Sequence, residues 1–356
     1  MAKHSTGQKG IPLERLIEAW KENAFKIKAT ARVLKCHPSN VSRRLVKAVL
    51  AGDERIDPSK VLRIKTTESD VMELIKARAE LDMRNERKVS KGDWRKPTVV
   101  SRAGEGPMIL GLFGDPHLDN SGTDLELFED GLYRLDDKER VFGACVGDFF
   151  DNWPRALGHL YAESGDPAPA WTLFQHWMKE KPFLFSVTGN HDQFASGTAN
   201  FLDEFMRGRG SLLRRSGGTF YLPLGGGKPI SIAMRHIWQG NSQYSEAHPL
   251  KRAAAFGHTQ EDLVVGGHTH KGEIRQHVRP ADGFVSKLVQ VSSFKKVDNF
   301  ANDRGFMSAE TPPIVWCVLD AREPDTSHSR VQPFYSFETA KAVLRRQQEK
   351  NYFETA

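Results

Sequence analysis

Five apolar runs of strand length, each ending at a glycine-flanked cluster of metal-binding side chains, constrain this chain more than any other feature. Met108 to Phe113 leads into Asp115-Pro-His117, Val141 to Val146 into Gly147-Asp148-Phe-Phe-Asp151, and Phe183 to Val187 into Gly189-Asn190-His191-Asp192. Ile230 to Met234 leads into Arg235-His236, and Leu263 to Val265 into Gly267-His268-Thr-His270. Short uninterrupted apolar runs bounded by turn residues read as buried strands. Every cluster is therefore expected just past the carboxyl end of a strand, where open α/β sheets place their ligand crevice. Asp or Asn beside Gly is ordinary turn chemistry in any one fragment, but five in order behind strands are not.

The donor types name a chemistry. Hard oxygens (Asp115, Asp148, Asn190) alternate with imidazoles (His117, His236, His268, His270), a mixture that suits Mn, Fe, Zn or Ni and would be unusual for Ca alone. One carboxylate, Asp148, can bridge two ions about 3.5–4 Å apart, the separation at which a metal pair clamps the attacking and leaving oxygens of phosphoryl transfer.

In this combination and order the fragments resemble the calcineurin-like metallophosphoesterase superfamily over roughly residues 108 to 320. The resemblance implies a four-layer sandwich, two mixed sheets flanked by helices, with two divalent ions, manganese first and Fe, Zn or Ni as alternatives. It implies that Asp115, His117, Asp148 and His270 surround one ion, and Asp148, Asn190, His236 and His268 the other. It places His191 on the family's catalytic imidazole and Asp151 on the carboxylate that orients it. The protein-phosphatase branch carries an arginine after the second Asp of its second motif. Here that position is Asn152, with Arg155 three places on. The double-strand-break-repair nucleases of the superfamily, and phosphoesterases encoded by phages and prophages, are the more similar branches.

Charge is uneven along the chain. Residues 1–107 hold 24 Lys and Arg against 14 Asp and Glu; the totals of 51 and 45 leave 27 against 31 for the rest, so a front of +10 precedes a body of −4. A basic segment attached to such a body implies a polyanionic partner. Within that front, Pro12 to Asn23, Ile27 to Leu34 and Pro38 to Val49 read as three short helices, two of them with proline at the first turn. Their spacing resembles a helix-turn-helix, with Lys35 at the usual turn glycine. Ser39, Asn40, Ser42, Arg43 and Arg44 would then meet DNA from the exposed start of the third helix. A three-helix protein-binding module packs in the same way.

Thr67 to Lys88 carries a narrow apolar stripe that suits one packing neighbour or a homodimer seam, and Lys88 to Pro107 reads as a linker. These readings divide the chain into a helix-turn-helix-like domain (1–52), a basic helical segment with linker (53–107), a catalytic domain (108–335) and a polar helical tail (336–356). No apolar run reaches the ~18 residues of a membrane span. The polar start lacks a signal peptide, and three distant cysteines form no disulfide framework, which together imply a cytoplasmic protein. Trp153, Trp171 and Trp177 with Phe174 are expected to cluster over the site, and Ser292 to Lys296 to approach the substrate phosphate. His159, His176, His248, His258 and His277 are expected to be surface or core histidines. Function on this reading is phosphodiester hydrolysis, on DNA foremost, with a cyclic nucleotide or dinucleotide as the alternative substrate. A regulator with a dead catalytic domain is disfavoured, because no ligand position is missing.

Overall fold

A computed structural model describes residues 11–57, 60–61, 76–77, 96–153, 167–194, 198–240, 242, 244–296 and 311–354. The chain forms two compact units, Met1–Asp93 and Trp94–Ala356.

In the first unit, α1 (Leu13–Glu22), α2 (Ile27–Val33) and α3 (Pro38–Leu50) enclose a core of Leu16, Ile17, Trp20, Ala31, Val41 and Leu45. Proline opens α3 at a position where its missing N–H costs nothing. The His37 ring accepts from the Ser39 N–H as the cap. Lys35, between α2 and α3, has φ +50°, so a lysine carries the left-handed turn for which glycine is the usual residue. Of the stretch from Thr67 to Lys88, residues 67–75 and 78–88 lie outside the described residues, and with them the expected homodimer seam.

The second unit contains two six-stranded mixed sheets. The first is ordered β12 (Val331–Phe334), β11 (Ile314–Leu319), β2 (Met108–Phe113), β3 (Val141–Cys145), β4 (Phe183–Thr188) and β5 (Leu212–Arg215). Strands β2 to β5 run parallel, and β11 pairs antiparallel to both β2 and β12. The second is ordered β1 (Pro97–Val99), β6 (Gly217–Leu222), β7 (Ile230–Arg235), β8 (Leu263–Gly266), β10 (Val285–Gln290) and β9 (Glu273–Val278).

Alternation of side chains along a strand splits the apolar residues into layers. Met108, Leu110 and Leu112 of β2 join Phe220, Ile232, Met234 and Val265 of the other sheet in one core, with Phe185 and Phe220 stacked 4.0 Å apart. Ile109 and Phe113 face the opposite way. They pack with Phe128 and Leu132 of α4 (Leu125–Tyr133), Phe174 of α5 (Ala168–Trp177), and Ala340 and Leu344 of α9 (Phe337–Glu354). On the far side, Leu250 and Ala254 of α8 (His248–Ala255) cover Val264 and Leu288. Helix, sheet, sheet and helix thus succeed one another.

Two segments differ from the sequence reading. The stretch expected to be a linker up to Pro107 supplies β1, parallel to β6, and buries Val100 and Ala103 in the inter-sheet core. The carboxyl-terminal helix is a packed layer and not a tail, because Ala340 and Leu344 give it an apolar face. Among the described residues no helix is long and apolar enough to cross a membrane.

Candidate metal centre

Strands β2, β3, β4, β7 and β8 end on one side of the unit, and the loops that follow them meet there. Asp115, His117, Asp148, Asp151 and His236 are all buried, each at most 1% exposed. His117, Asp148, Asn152, His268 and His270 have φ of 44, 52, 42, 74 and 57°. Left-handed backbone costs a non-glycine residue about 1–3 kcal/mol and persists only where surrounding structure over-determines it. Close approach of the loops also dictates glycine. A Cβ on Gly189 would lie 1.9 Å from Asp148 Oδ1, and one on Gly147, itself at φ 107°, 2.3 Å from the Gly189 nitrogen.

Carboxylate and imidazole side chains of metal-ligand type converge here. His236 Nδ1 lies 2.9 Å from the Val146 carbonyl oxygen, so that nitrogen carries the hydrogen and donates. The other nitrogen, Nε2, faces Asp148 Oδ2 and Asn190 Oδ1, each at 3.0 Å. Either a proton on Nε2 or a metal ion among them would satisfy imidazole, carboxylate and amide oxygen together. Asp148, His236 and His268 form one such group; Asp115, His117 and His270 form a second. In the second, His117 Nδ1 is held by Asp151 Oδ1 at 2.7 Å, which turns Nε2 toward His270 Nε2 at 3.1 Å. His270 Nε2 lies 3.6 Å from Asp115 Oδ2, and Asp115 Oδ1 is buried with no hydrogen-bond partner among the described residues. Asp148 Oδ2, 3.0 Å from His236 Nε2, is 4.0 Å from His117 Nε2, so it lies between the two groups.

Electrostatics agree with the geometry. Burial lifts Asp115 to about 7. Against burial, which would lower it, Asp148 and Asp115 raise His236 to about 9. Burial and the neighbouring His236 drop His268 to about 4. Against its own burial, Asp148 is held far below the carboxylate range by His236 and His117. Burial keeps a proton on Asp115, and the neighbouring carboxylates keep one on His236; burial lowers His268, His270 and His191. The donor set fits two divalent ions that take mixed oxygen and nitrogen ligands.

The expected site residues fall as follows. Asp115, His117, Asp148, Asn190, His236, His268 and His270 are brought together, Asp115, His117 and His270 in one group and Asp148, His236 and His268 in the next, with Asn190 against His236. His191 borders them, its ring centroid 5.0 Å from that of His117 and 4.7 Å from that of Trp153. Asp151 is placed differently from the expectation. His191 Nδ1 meets the Asp151 backbone carbonyl at 2.5 Å, while the Asp151 carboxylate holds His117. The left-handed turn at Asn152 and the buried course of the loop direct the carboxylate inward. Of the tryptophans, Trp153 stays at the site, whereas Trp171 stacks on Phe150 at 3.9 Å and Trp177 packs on Phe128. Arg155 and His159 lie outside the described residues. Ser39, Asn40 and Arg43 are exposed on α3 of the other unit, and Ser42 and Arg44 are half-buried.

Three contributors were not singled out from sequence. Asp192 is fully buried, and its carboxylate accepts the N–H of Asp148 (2.8 Å), Phe149 (2.9 Å) and Gly189 (2.8 Å), tying the second loop to the third. Asp119 Oδ1 accepts the Asp151 N–H at 2.7 Å, and Asn120 donates to Asp151 Oδ2 at 2.6 Å. Their positions directly after the first and third clusters were the available signal. Lys295, from the Ser292 to Lys296 stretch, is buried with Nζ 3.6 Å from Asp151 Oδ1.

No family model matches the chain, and no curated protein does. Among solved structures it is similar to a conserved protein of Streptococcus pneumoniae described as a predicted phosphoesterase, at 14% identity and a TM-score of 0.30. It is also similar to a Thermotoga maritima protein and to a double mutant of Vps29 from Entamoeba histolytica, each at 13% identity and a TM-score of 0.31. Each alignment covers 64% of this chain and 97% of the other. Similarity at this level is too loose to assign a family, so the chain's own side chains carry the functional reading.

Proposed function

We propose that this protein is a metal-dependent phosphoesterase of the calcineurin-like class that hydrolyses phosphodiester bonds, DNA being the substrate its basic amino-terminal unit recruits. The observation that carries the reading is two adjacent groups of Asp and His side chains with Asp148 Oδ2 3.0 Å from His236 Nε2 and 4.0 Å from His117 Nε2. Asp115, His117, Asp148 and His270 would hold one divalent ion, and Asp148, Asn190, His236 and His268 the other. Divalent ions held there would supply Lewis acidity toward the phosphoryl oxygens and would lower the pKa of a bound water.

The chain's own residues then orient and move protons. The Asp151 carbonyl fixes the His191 tautomer with hydrogen on Nδ1, so Nε2 is the nitrogen that exchanges a proton with a departing alkoxide. Asp151, through its carboxylate, aims His117 at the ion it would bind. Asp192 keeps the Asp148 and Gly189 loops in contact, so the shared carboxylate does not drift. Exposed Asn40 and Arg43 at the start of α3 support phosphate and base contacts by the amino-terminal unit.

A small phosphodiester as the substrate is the second reading, favoured by a cavity of about 720 Å³ beside Asn190 and His236. The test is hydrolysis of single-stranded DNA, duplex DNA and bis-p-nitrophenyl phosphate with Mn2+ and with chelator. Turnover of a diester that chelator abolishes and Mn2+ restores is the expected result; no metal-dependent hydrolysis of any of the three refutes the reading.

A further inference from the structure

The cavity next to the metal centre has a composition that hydrolysis of a bare diester does not require. It starts at Asn190 and His236, is bounded by Thr188, Gly189, Gln193 and Ser216, and extends past Arg235, Ile237 and Trp238 to Arg252 and His258. At about 720 Å³ it falls in the roughly 300–1,000 Å³ range of sites that enclose a whole small molecule. A phosphate alone would fill little of it.

No carboxylate lines this cavity, while two arginines and two histidines do. Arg235 directly precedes His236, at the mouth beside the metal groups. Arg252 of α8 also lines it, is exposed, and has no ion pair among the described residues. Trp238 is fixed in the lining, its Nε1 donating to the Val265 carbonyl at 2.7 Å and its ring 5.7 Å from the Arg235 guanidinium. A positioned ring in a cavity lined by two guanidinium groups suits a base with its phosphates, since arginine binds phosphate oxygens through paired donors and aromatic rings stack on bases. The histidine at 258, expected from sequence to be a surface or core histidine, also lines the cavity.

We propose that this cavity is a subsite for a second phosphate and its base, with Arg252 as the residue that selects for that phosphate. The preferred substrate is then a nucleotide phosphodiester carrying a further phosphate beside the scissile one, supplied either by a short nucleotide or by a nucleic-acid strand. The inference rests on the phosphoesterase reading for the bond that is cleaved, but the subsite binds with or without metal.

The test uses the full-length protein and Arg252→Glu. In chelator, binding of a dinucleotide bearing a 5′-phosphate is compared with binding of the same dinucleotide without it. The wild type is expected to prefer the phosphorylated form about ten-fold, and Arg252→Glu to lose that preference, with Arg252→Lys retaining part of it. With Mn2+, the ratio of kcat/KM for the phosphorylated dinucleotide to that for bis-p-nitrophenyl phosphate should fall about ten-fold in Arg252→Glu, mainly through KM. A 5′-phosphorylated DNA oligonucleotide run alongside separates the sources: a loss on the oligonucleotide as large as on the dinucleotide assigns the subsite to a strand. Equal binding of both dinucleotides by the wild type, or a preference that survives Arg252→Glu, overturns the subsite. Absence of all diester hydrolysis alongside intact, Arg252-dependent binding would refute the phosphoesterase reading and leave the subsite standing.

Discussion

The loops around Asp148 and the start of α3 carry the side chains of the two proposed roles, metal binding and DNA contact, and they present them in opposite ways. At the loops Asp115, His117, Asp148 and His236 are buried and each is held by a further contact: Asp148 by the His191 N–H, Asp115 by the His268 N–H at 2.6 Å, His117 by Asp151, His236 by Val146; His268 itself is exposed. On α3, Ser39, Asn40 and Arg43 are exposed, and Ser39 Oγ meets the His37 ring at 2.7 Å. Polar groups that must coordinate ions at fixed distances are pre-organised at a cost in strain, as at the left-handed His117, Asp148, His268 and His270. Groups that grip a polyanion work through charge at longer range and need no such fixing. Substitutions should therefore act steeply at the loops and gradually on the helix.

The largest effect is expected from Asp148→Asn. A neutral amide bridges two dications poorly, so turnover of bis-p-nitrophenyl phosphate should drop to the chelator background. Retained activity would place the shared ligand elsewhere. His191→Ala should keep the metals and slow hydrolysis of a poor leaving group by on the order of 10²–10⁴, the usual share of a positioned acid or base. The loss should be much smaller with p-nitrophenolate, which departs without a proton. Equal losses on both would make His191 a phosphate-positioning group instead.

Asp192→Ala tests fixing without touching an ion. It leaves the N–H groups of Asp148, Phe149 and Gly189 without their acceptor, and unsatisfied buried donors cost about 1–3 kcal/mol each before relaxation. Denaturant unfolding should show a loss of roughly 3 kcal/mol or more; a loss below about 1 kcal/mol would mean that the two loops are held by other contacts.

A pH series on the metal-free protein separates the regions further. Burial raises Asp115 and Asp192 to about 7, so the folded state holds protons that the unfolded state has lost, and stability should fall as pH rises from about 4 to 7. His236, raised to about 9 despite its burial, extends the fall from about 6.5 to 9. His268, lowered to about 4, and His191 and His270, lowered by burial, oppose it below about 6.5. Thermal melts in chelator should thus decline from about pH 6.5 to 9, and stabilisation by added Mn2+ should grow over the same range, because metals displace these protons. A metal-free melting temperature that rises with pH would contradict the charge arrangement described. The smallest effect is expected on α3, where Arg43→Ala with Arg44→Ala should weaken duplex-DNA binding while lowering its salt slope by about 2. An unchanged slope would favour a protein partner for that unit.

Much of this contrast was legible before any coordinates. Apolar runs located β2, β3, β4, β7 and β8, because a strand buried on both faces has no polar positions to blur it. The edge strands were not legible: β1 is three residues beginning with Pro97, and β9, Glu-Ile-Arg-Gln-His-Val, is half-exposed and charged. At the site, sequence indicated which residues should gather, but not which atom of Asp151 would meet His191. A carboxylate and a carbonyl on one residue are indistinguishable until the loop's φ is known. Asp192 was hidden for a related reason, since its partners are backbone N–H groups, two of them 43 and 44 positions away.

The central claim is that two ions share Asp148. Its most direct test is Mn2+ titration of the chelator-stripped protein followed by electron paramagnetic resonance. Two ions per chain with an exchange-coupled spectrum, reduced to fewer than two uncoupled ions in Asp148→Asn, is the predicted result. Two magnetically isolated ions, or full coupling retained in Asp148→Asn, would contradict it.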